Sequence, residues 1–116
     1  LLPLTPETSG ILNNQTLYQL IRGAYIINAG RGAHIVDEAL LEAIGSGQIA
    51  GAALDVFHEE PLPERHPYWD HPKVRVWPHV SAQSNAGSAA SQVADAINKV
   101  FNGKDPNNLI NRINQY

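Results

Sequence analysis

The sequence predicts an α/β fold, a parallel sheet with helical crossovers. Three observations carry this. Two apolar runs of strand length, Ala24 to Asn28 and Ile49 to Val56, lack the polar alternation of a sheet with one wet face, so they suit strands buried on both sides. The stretch between them, Leu40-Leu41 followed by Ile44, has helical spacing. Strand-like and helix-like segments alternate along the chain, an order that yields parallel strands joined by helices.

Leu1 to Leu4 reads as the end of a strand, and Thr5 to Gly10 as a loop in which Pro6 biases Thr5 away from helix. Asn13 or Asn14 caps a short helix with Leu17, Leu20 and Ile21 on one face, ended by Gly23. Ala24 to Asn28 follows as a strand, and Ala29-Gly30-Arg31-Gly32 is the glycine-rich loop behind it. Asp37 stands at the expected N-cap of the next helix, which carries Leu40, Leu41 and Ile44 and stops at Gly45 and Gly47. The small residues of Ile49 to Val56 imply that helices pack very close to this second strand. A Pro-rich and His-rich loop runs from Phe57 to Pro72, and Val74 to Trp77 forms a third short strand. Ser81 to Asn102 becomes helical late, with Val93, Ile97, Val100 and Phe101 at i, i+4, i+7 and i+8, and Gly103 stops it. Lys104 to Tyr116 is polar and Asn-rich, with no element of its own.

Composition narrows the function classes. With 116 residues the chain is one domain or part of one. It has no cysteine, which excludes a disulfide scaffold, a thiolate metal site and a cysteine nucleophile. It has no methionine either and opens Leu1-Leu2-Pro3, so either its start was processed or it is a piece of something longer. Eight Lys and Arg against eleven Asp and Glu give a net charge of −3 without any run of one sign, which argues against a nucleic-acid binder. No apolar stretch reaches the roughly 20 residues of a bilayer span, and no signal peptide opens the chain; a cytoplasmic protein is expected. His66 and His71 lie five apart in a Pro-containing loop, which is no metal-ligand spacing, so no metal site is expected. Ser81 and Ser84 lack a nucleophile elbow.

In open parallel sheets, ligands bind outside the carboxyl ends of the strands. Three segments qualify. Behind the first strand stands Arg31 between two glycines; its planar fork matches a carboxylate, and it can equally be a surface loop arginine. Behind the second comes Asp55, placed to accept from an amide ligand or to cap a turn, and then the acidic pair Glu59-Glu60, between which spacing does not choose. Behind the third comes Pro78-His79-Val80-Ser81-Ala82, where His79 is either a general acid or base or a ring packed on Trp77.

Taken together, Leu2-Pro3-Leu4-Thr5-Pro6-Glu7-Thr8, Ile27-Asn28-Ala29-Gly30-Arg31-Gly32, Gly51-Ala52-Ala53-Leu54-Asp55-Val56-Phe57, Glu60-Pro61-Leu62-Pro63 and Pro78-His79-Val80-Ser81-Ala82 resemble the D-isomer-specific 2-hydroxyacid dehydrogenases. The stretch His66-Pro67-Tyr68-Trp69-Asp70-His71-Pro72 and the tail ending in Tyr116 resemble most the glyoxylate/hydroxypyruvate reductase A branch. The resemblance implies the second half of a Rossmann-type sheet plus a C-terminal helix and tail. Residues 1–102 would be the C-terminal half of an NAD(P)-binding domain, and residues 103–116 a tail returning to a substrate domain.

It also implies roles. Arg31 would hold the carboxylate and carbonyl of a 2-oxo acid such as glyoxylate or hydroxypyruvate. His79 would protonate the carbonyl oxygen as hydride arrives from the nicotinamide. Glu60, chosen over Glu59 by the resemblance alone, would pair with His79 and keep a proton on it. Leu2 and Pro3 match an adenosine-side edge, Ala29, Gly30 and Arg31 backbone near the nicotinamide half, Asp55 the acceptor for its carboxamide, and His79 and Ala82 the far side of that pocket. Gly30 departs from the Ala more usual before the arginine and adds loop freedom. The cofactor would be NADP or NAD, with NADPH favoured by the branch, the partner a second copy, and no nucleic acid or membrane involved. The chain carries no Gly-x-Gly-x-x-Gly turn between a strand and a helix to seat a pyrophosphate, so alone it is expected to be inactive. A dinucleotide-sensing co-repressor of the same fold is the rival reading.

Overall fold

A computed structural model describes residues 2–82, 84–111 and 113. The elements in chain order are α1 (Asn14–Leu17), β1 (Ala24–Asn28), a 3-10 turn (Gly32–His34), α2 (Asp37–Gly45), β2 (Ile49–Leu54), β3 (Val74–Val76) and α3 (Ala86–Phe101). The chain divides into two compact units, one ending at Ser81 and one beginning at Ala82.

The first unit is built on a three-stranded parallel sheet in the order β1-β2-β3. Asn28 lies beside Leu54, and Leu54 beside Val76, so the three strands finish at one end of the sheet. The loops that carry Arg31, Asp55 and His79 all leave from that end. Leu17, Ile26, Leu40, Ile44, Ile49 and Leu54 form the core between α1, α2 and the sheet. The other side of the sheet differs: Tyr25 and Ile27 of β1 are exposed.

Several expectations change. Leu2 to Leu4 is not a strand; the Pro3 carbonyl accepts from Thr8 Oγ1 (2.7 Å) and from His34 Nε2 (3.3 Å) and is thereby turned away from strand pairing. Leu1 and Tyr116 lie outside the described residues. Asn13, not Asn14, caps α1, taking the Gln15 and Thr16 backbone N–H groups while Thr16 Oγ1 accepts from the Asn13 N–H. The helix closes after one turn and buries Leu17, leaving Ile21 exposed. Asp37 is the first residue of α2, and Val36 occupies the cap without a side-chain bond. The Asp37 carboxylate instead accepts from the hydroxyl of buried Tyr68 (2.9 Å). β2 ends at Leu54 and β3 at Val76, each shorter than the apolar run that announced it. Gly51 is small because of its neighbours in the sheet layer, not a helix: a Cβ there would lie 2.7 Å from the Lys73 carbonyl oxygen and 3.2 Å from the Tyr25 ring.

In the second unit α3 begins at Ala86, later than Ser81, with Asn85 accepting from the Ser88 N–H as its cap. Val93, Ile97, Val100 and Phe101 lie along it as read, all exposed. Among the described residues no helix is long and apolar enough to cross a membrane.

Candidate active site

The loop behind β1 is folded around the side chain of Asn28. Its Oδ1 accepts from the Gly30 N–H (3.0 Å) and its Nδ2 donates to the Arg31 carbonyl (2.9 Å). Asn28 is buried, so both halves of the amide need partners, and the loop supplies them. Arg31 is exposed, with Nη1 on the Gly30 carbonyl (2.7 Å). Gly32 then passes so close to the next loop that a Cβ would lie 1.9 Å from the Phe57 carbonyl carbon and 2.5 Å from the His58 nitrogen. The glycine is required there by close approach, not by its dihedral angles.

Asp55, at the end of β2, is buried, and its carboxylate spans the turn behind β3: Oδ1 accepts from the Val80 N–H (2.9 Å) and Oδ2 from the Ser81 N–H (3.0 Å). Burial works against the charge on Asp55. The hydrogen bonds from Ser81 and Val80 and the proximity of His79 outweigh it and hold the carboxyl below the ordinary aspartate range. The residue therefore does cap a turn. Each oxygen still has acceptor capacity for a further donor.

His79 stands in that turn at φ 56°, the one non-glycine residue at positive φ among the described residues. Left-handed backbone at a non-glycine residue persists only where the surroundings enforce it, and here the Asp55 bonds to the two following residues do so. Its Nδ1 donates to Glu60 Oε2 at 2.7 Å. Glu60 Oε1 accepts from the Phe57 N–H at 2.9 Å. The hydrogen bond from His79, then that from Phe57, hold the Glu60 carboxyl below the ordinary glutamate range, and Arg31 is near enough to add to the effect. The structure thus brings together Glu60 and His79, which spacing could not do, and it engages Glu60, not Glu59. With Nδ1 bonded to a carboxylate, His79 keeps Nε2 for proton transfer, the geometry of an oriented acid–base group.

Two clefts flank this arrangement in the first unit. One, of about 230 Å³, crosses the ends of all three strands between Ile27, Ala29, Ala53, Asp55, Trp77 and Ser81. Its walls are apolar and a carboxylate is in its lining, which fits a flat aromatic ring bearing a carboxamide. Another, of about 250 Å³, includes Leu2, Ala29, Gly30 and His34. Pro3 is joined to it through the His34 bond. A larger, mainly apolar cavity of about 660 Å³ has Glu60, His79 and Trp77 in its wall. Ala82 belongs to the second unit.

Three residues of consequence were not singled out as site residues by sequence: Asn28, Gly32 and His58. An Asn two residues before a Gly at a strand end signals a side-chain turn and would have flagged the first. The packing of Gly32 on Phe57 has no local signal.

Residues 1–81 match the family described as D-isomer specific 2-hydroxyacid dehydrogenase, NAD binding domain. The chain is 47% identical over 116 residues to glyoxylate/hydroxypyruvate reductase A of Yersinia enterocolitica, covering all of this chain and 37% of that protein. It is 48% identical over 110 residues to the protein of the same name from Serratia proteamaculans, covering 95% and 35%. A D-isomer specific 2-hydroxyacid dehydrogenase from Xanthobacter autotrophicus Py2, solved with NADPH and MES, superposes with a TM-score of 0.95 at 40% identity, over 100% of this chain and 48% of that one. The NADPH-dependent glyoxylate/hydroxypyruvate reductase of Sinorhizobium meliloti, solved with NADP and sulfate, gives 0.92 at 40% identity, over 100% and 38%. The chain therefore spans little more than a third of the length of the curated relatives it matches.

Proposed function

The chain belongs to the D-isomer specific 2-hydroxyacid dehydrogenase family, and from that premise we propose that it is the catalytic part of an NAD(P)H-dependent reductase of a small 2-oxo acid, glyoxylate or hydroxypyruvate. The observation that carries this reading is the 2.7 Å bond between Glu60 and His79 at the carboxyl end of the parallel sheet. The nicotinamide, when bound, supplies the hydride. His79 gives a proton from Nε2 to the carbonyl oxygen as it becomes an alkoxide. Glu60 fixes the ring through Nδ1 and leaves Nε2 for the transfer. Arg31 holds the substrate carboxylate through its guanidinium fork and keeps the carbonyl in reach of His79.

The residues toward the cofactor are Leu2 and Pro3 on the adenosine side, Ala29, Gly30 and Arg31 along the nicotinamide half, Asp55 at the carboxamide, and His79 beyond it. The apolar cleft lined by Asp55 supports this placement, because the carboxylate retains acceptor capacity after binding the Val80 and Ser81 N–H groups. NADPH is the cofactor we favour. Residues 1–102 are read as the C-terminal half of the NAD(P)-binding domain and 103–116 as a tail returning to a substrate domain, in a cytoplasmic homodimer.

The test is NADPH oxidation by the full-length protein with glyoxylate and with hydroxypyruvate. Turnover that disappears in His79→Ala supports the reading; absence of turnover with every small 2-oxo acid and both nicotinamide cofactors overturns it. The 116-residue chain on its own is expected to be inactive, since it carries no pyrophosphate-binding turn.

A further inference from the structure

We propose that His58 is a positioning residue for Glu60: its ring fastens the Glu60 loop to the segment in front of α2 and so keeps the Glu60 carboxylate on His79. The importance of that carboxylate for turnover rests on the function proposed above; the positioning itself does not.

Glu60 holds His79 with one oxygen and the Phe57 N–H with the other (2.7 and 2.9 Å). Wherever the Phe57 backbone goes, the carboxylate follows. Phe57 has left the sheet, because β2 ends at Leu54, so its place is set by what it leans on. The Phe57–His58 backbone abuts Gly32, a contact that stops it from moving inward but does not pull it. The Phe57 ring packs against the core, 6.5 Å from the Tyr68 ring, and the directional tie to the segment before α2 comes from His58, whose Nε2 donates to the Ile35 carbonyl at 2.7 Å. Ile35 is a fixed anchor: it is buried, its N–H closes the 3-10 turn on the Gly32 carbonyl (3.0 Å), and it bridges to Leu12.

The His58 ring itself is half exposed, 49% of the side chain, so it gains little from burial and its directional contact is the bond to Ile35. Asp37 Oδ1 stands 4.0 Å from the same nitrogen. A neighbouring fastening shares Asp37 with His58 but not the bond to Ile35. The Tyr68 hydroxyl on Asp37 and the Trp69 ring nitrogen on the Pro63 carbonyl (both 2.9 Å) secure the far part of the loop, several residues beyond Glu60.

This separation makes the proposal testable in the full-length protein by following the Glu60 side-chain carbonyl through a pH titration by NMR, alongside kinetics. His58→Leu removes the donor. Its Glu60 titration is expected to move up toward the ordinary glutamate value, with kcat lowered about tenfold and NADPH affinity unchanged. His58→Gln sets an amide nitrogen near the place of Nε2 and is expected to restore both. His58→Asn, polar but too short to reach Ile35, is the second removal if the leucine variant folds poorly, with the same expected shift. Tyr68→Phe is expected to lower the melting temperature while leaving the Glu60 titration in place. An unmoved Glu60 titration in the removal variants, no rescue by Gln, or the same shift in Tyr68→Phe overturns the positioning role. The titration needs no turnover: a shift in a protein that reduces no 2-oxo acid would refute the proposed function alone.

Discussion

Replacing Gly32 by alanine tests whether the Arg31 loop and the Glu60 loop are seated on each other. The added Cβ would lie 1.9 Å from the Phe57 carbonyl carbon, whereas ordinary contact begins at 3.4 Å. Backbone must therefore retreat by about 1.5 Å, and no flexible side chain can absorb the clash, because all three nearest atoms belong to the Phe57–His58 backbone. Overpacking of this kind costs about 1–3 kcal/mol. The retreat displaces either Arg31 or the Phe57 N–H that holds Glu60, and misplacement on the ångström scale costs on the order of 10²-fold in rate. The assay is urea unfolding together with kcat/KM for the 2-oxo acid in the full-length protein. Gly45→Ala is the matched control. It lies in α2 with nothing within 4 Å of the new Cβ, and alanine there is expected to be neutral or to stabilise by up to about 1 kcal/mol. If Gly32→Ala leaves both the unfolding midpoint and kcat/KM where Gly45→Ala leaves them, the two loops are not in the contact described and the reasoning fails.

Other outcomes follow from the same geometry. His79→Ala should lower kcat by about 10²–10⁴-fold with NADPH affinity retained, measured by steady-state kinetics and a cofactor titration; an unchanged kcat removes His79 from the chemistry. Arg31→Lys should raise KM for the 2-oxo acid while leaving the cofactor dissociation constant alone, because the planar fork is lost but the charge is not; equal loss of both would argue against a carboxylate clamp. Asp55 and Glu60 both titrate lower in the folded protein than in the unfolded chain, so their stabilising contribution is present above the ordinary carboxylate range and lost as pH falls through their lowered values. Urea midpoints measured from pH 7 downward should stay level, as far as these two groups are concerned, to about pH 5 and fall below about pH 4; Glu60→Gln and Asp55→Asn should each flatten that fall, and a fall unaltered by either would assign it to other groups.

How much of this was legible in the sequence varies by element. β1 was read at its observed limits because an apolar run is bounded there by Gly23 on one side and the glycine-rich loop on the other. The end of α2 at Gly45 was equally plain. Its start was misread: Asp37 has the chemistry of a cap, but its carboxylate is drawn off by Tyr68, 31 residues away, and no local rule registers a partner at that distance. α1 was drawn too long because Leu20 and Ile21 continue its periodicity, although only Leu17 finds a core to enter. In the site, Arg31, Asp55 and His79 were located by one topological rule, that ligands gather where parallel strands end. The choice of Glu60 over Glu59 came from family resemblance alone, and only the fold shows which of the two reaches His79. The turn-capping part of the Asp55 reading is visible in the two backbone bonds it accepts.

The outer face of β1 carries a practical consequence. β1 is an edge strand of a parallel sheet, and Tyr25 and Ile27 on it are 75% and 80% exposed. An edge of that kind offers unpaired backbone groups beside apolar side chains and so templates further pairing. Preparations of this chain by itself should therefore lose material to concentration-dependent turbidity, and light scattering rather than melting temperature should set their working range. Lysine substituted for Tyr25, whose side chain lies outside the core and outside the cleft at the strand ends, is the simpler remedy, because a charge on the outward face opposes stacking without touching any residue that lines the ends of the strands at Asp55 and His79.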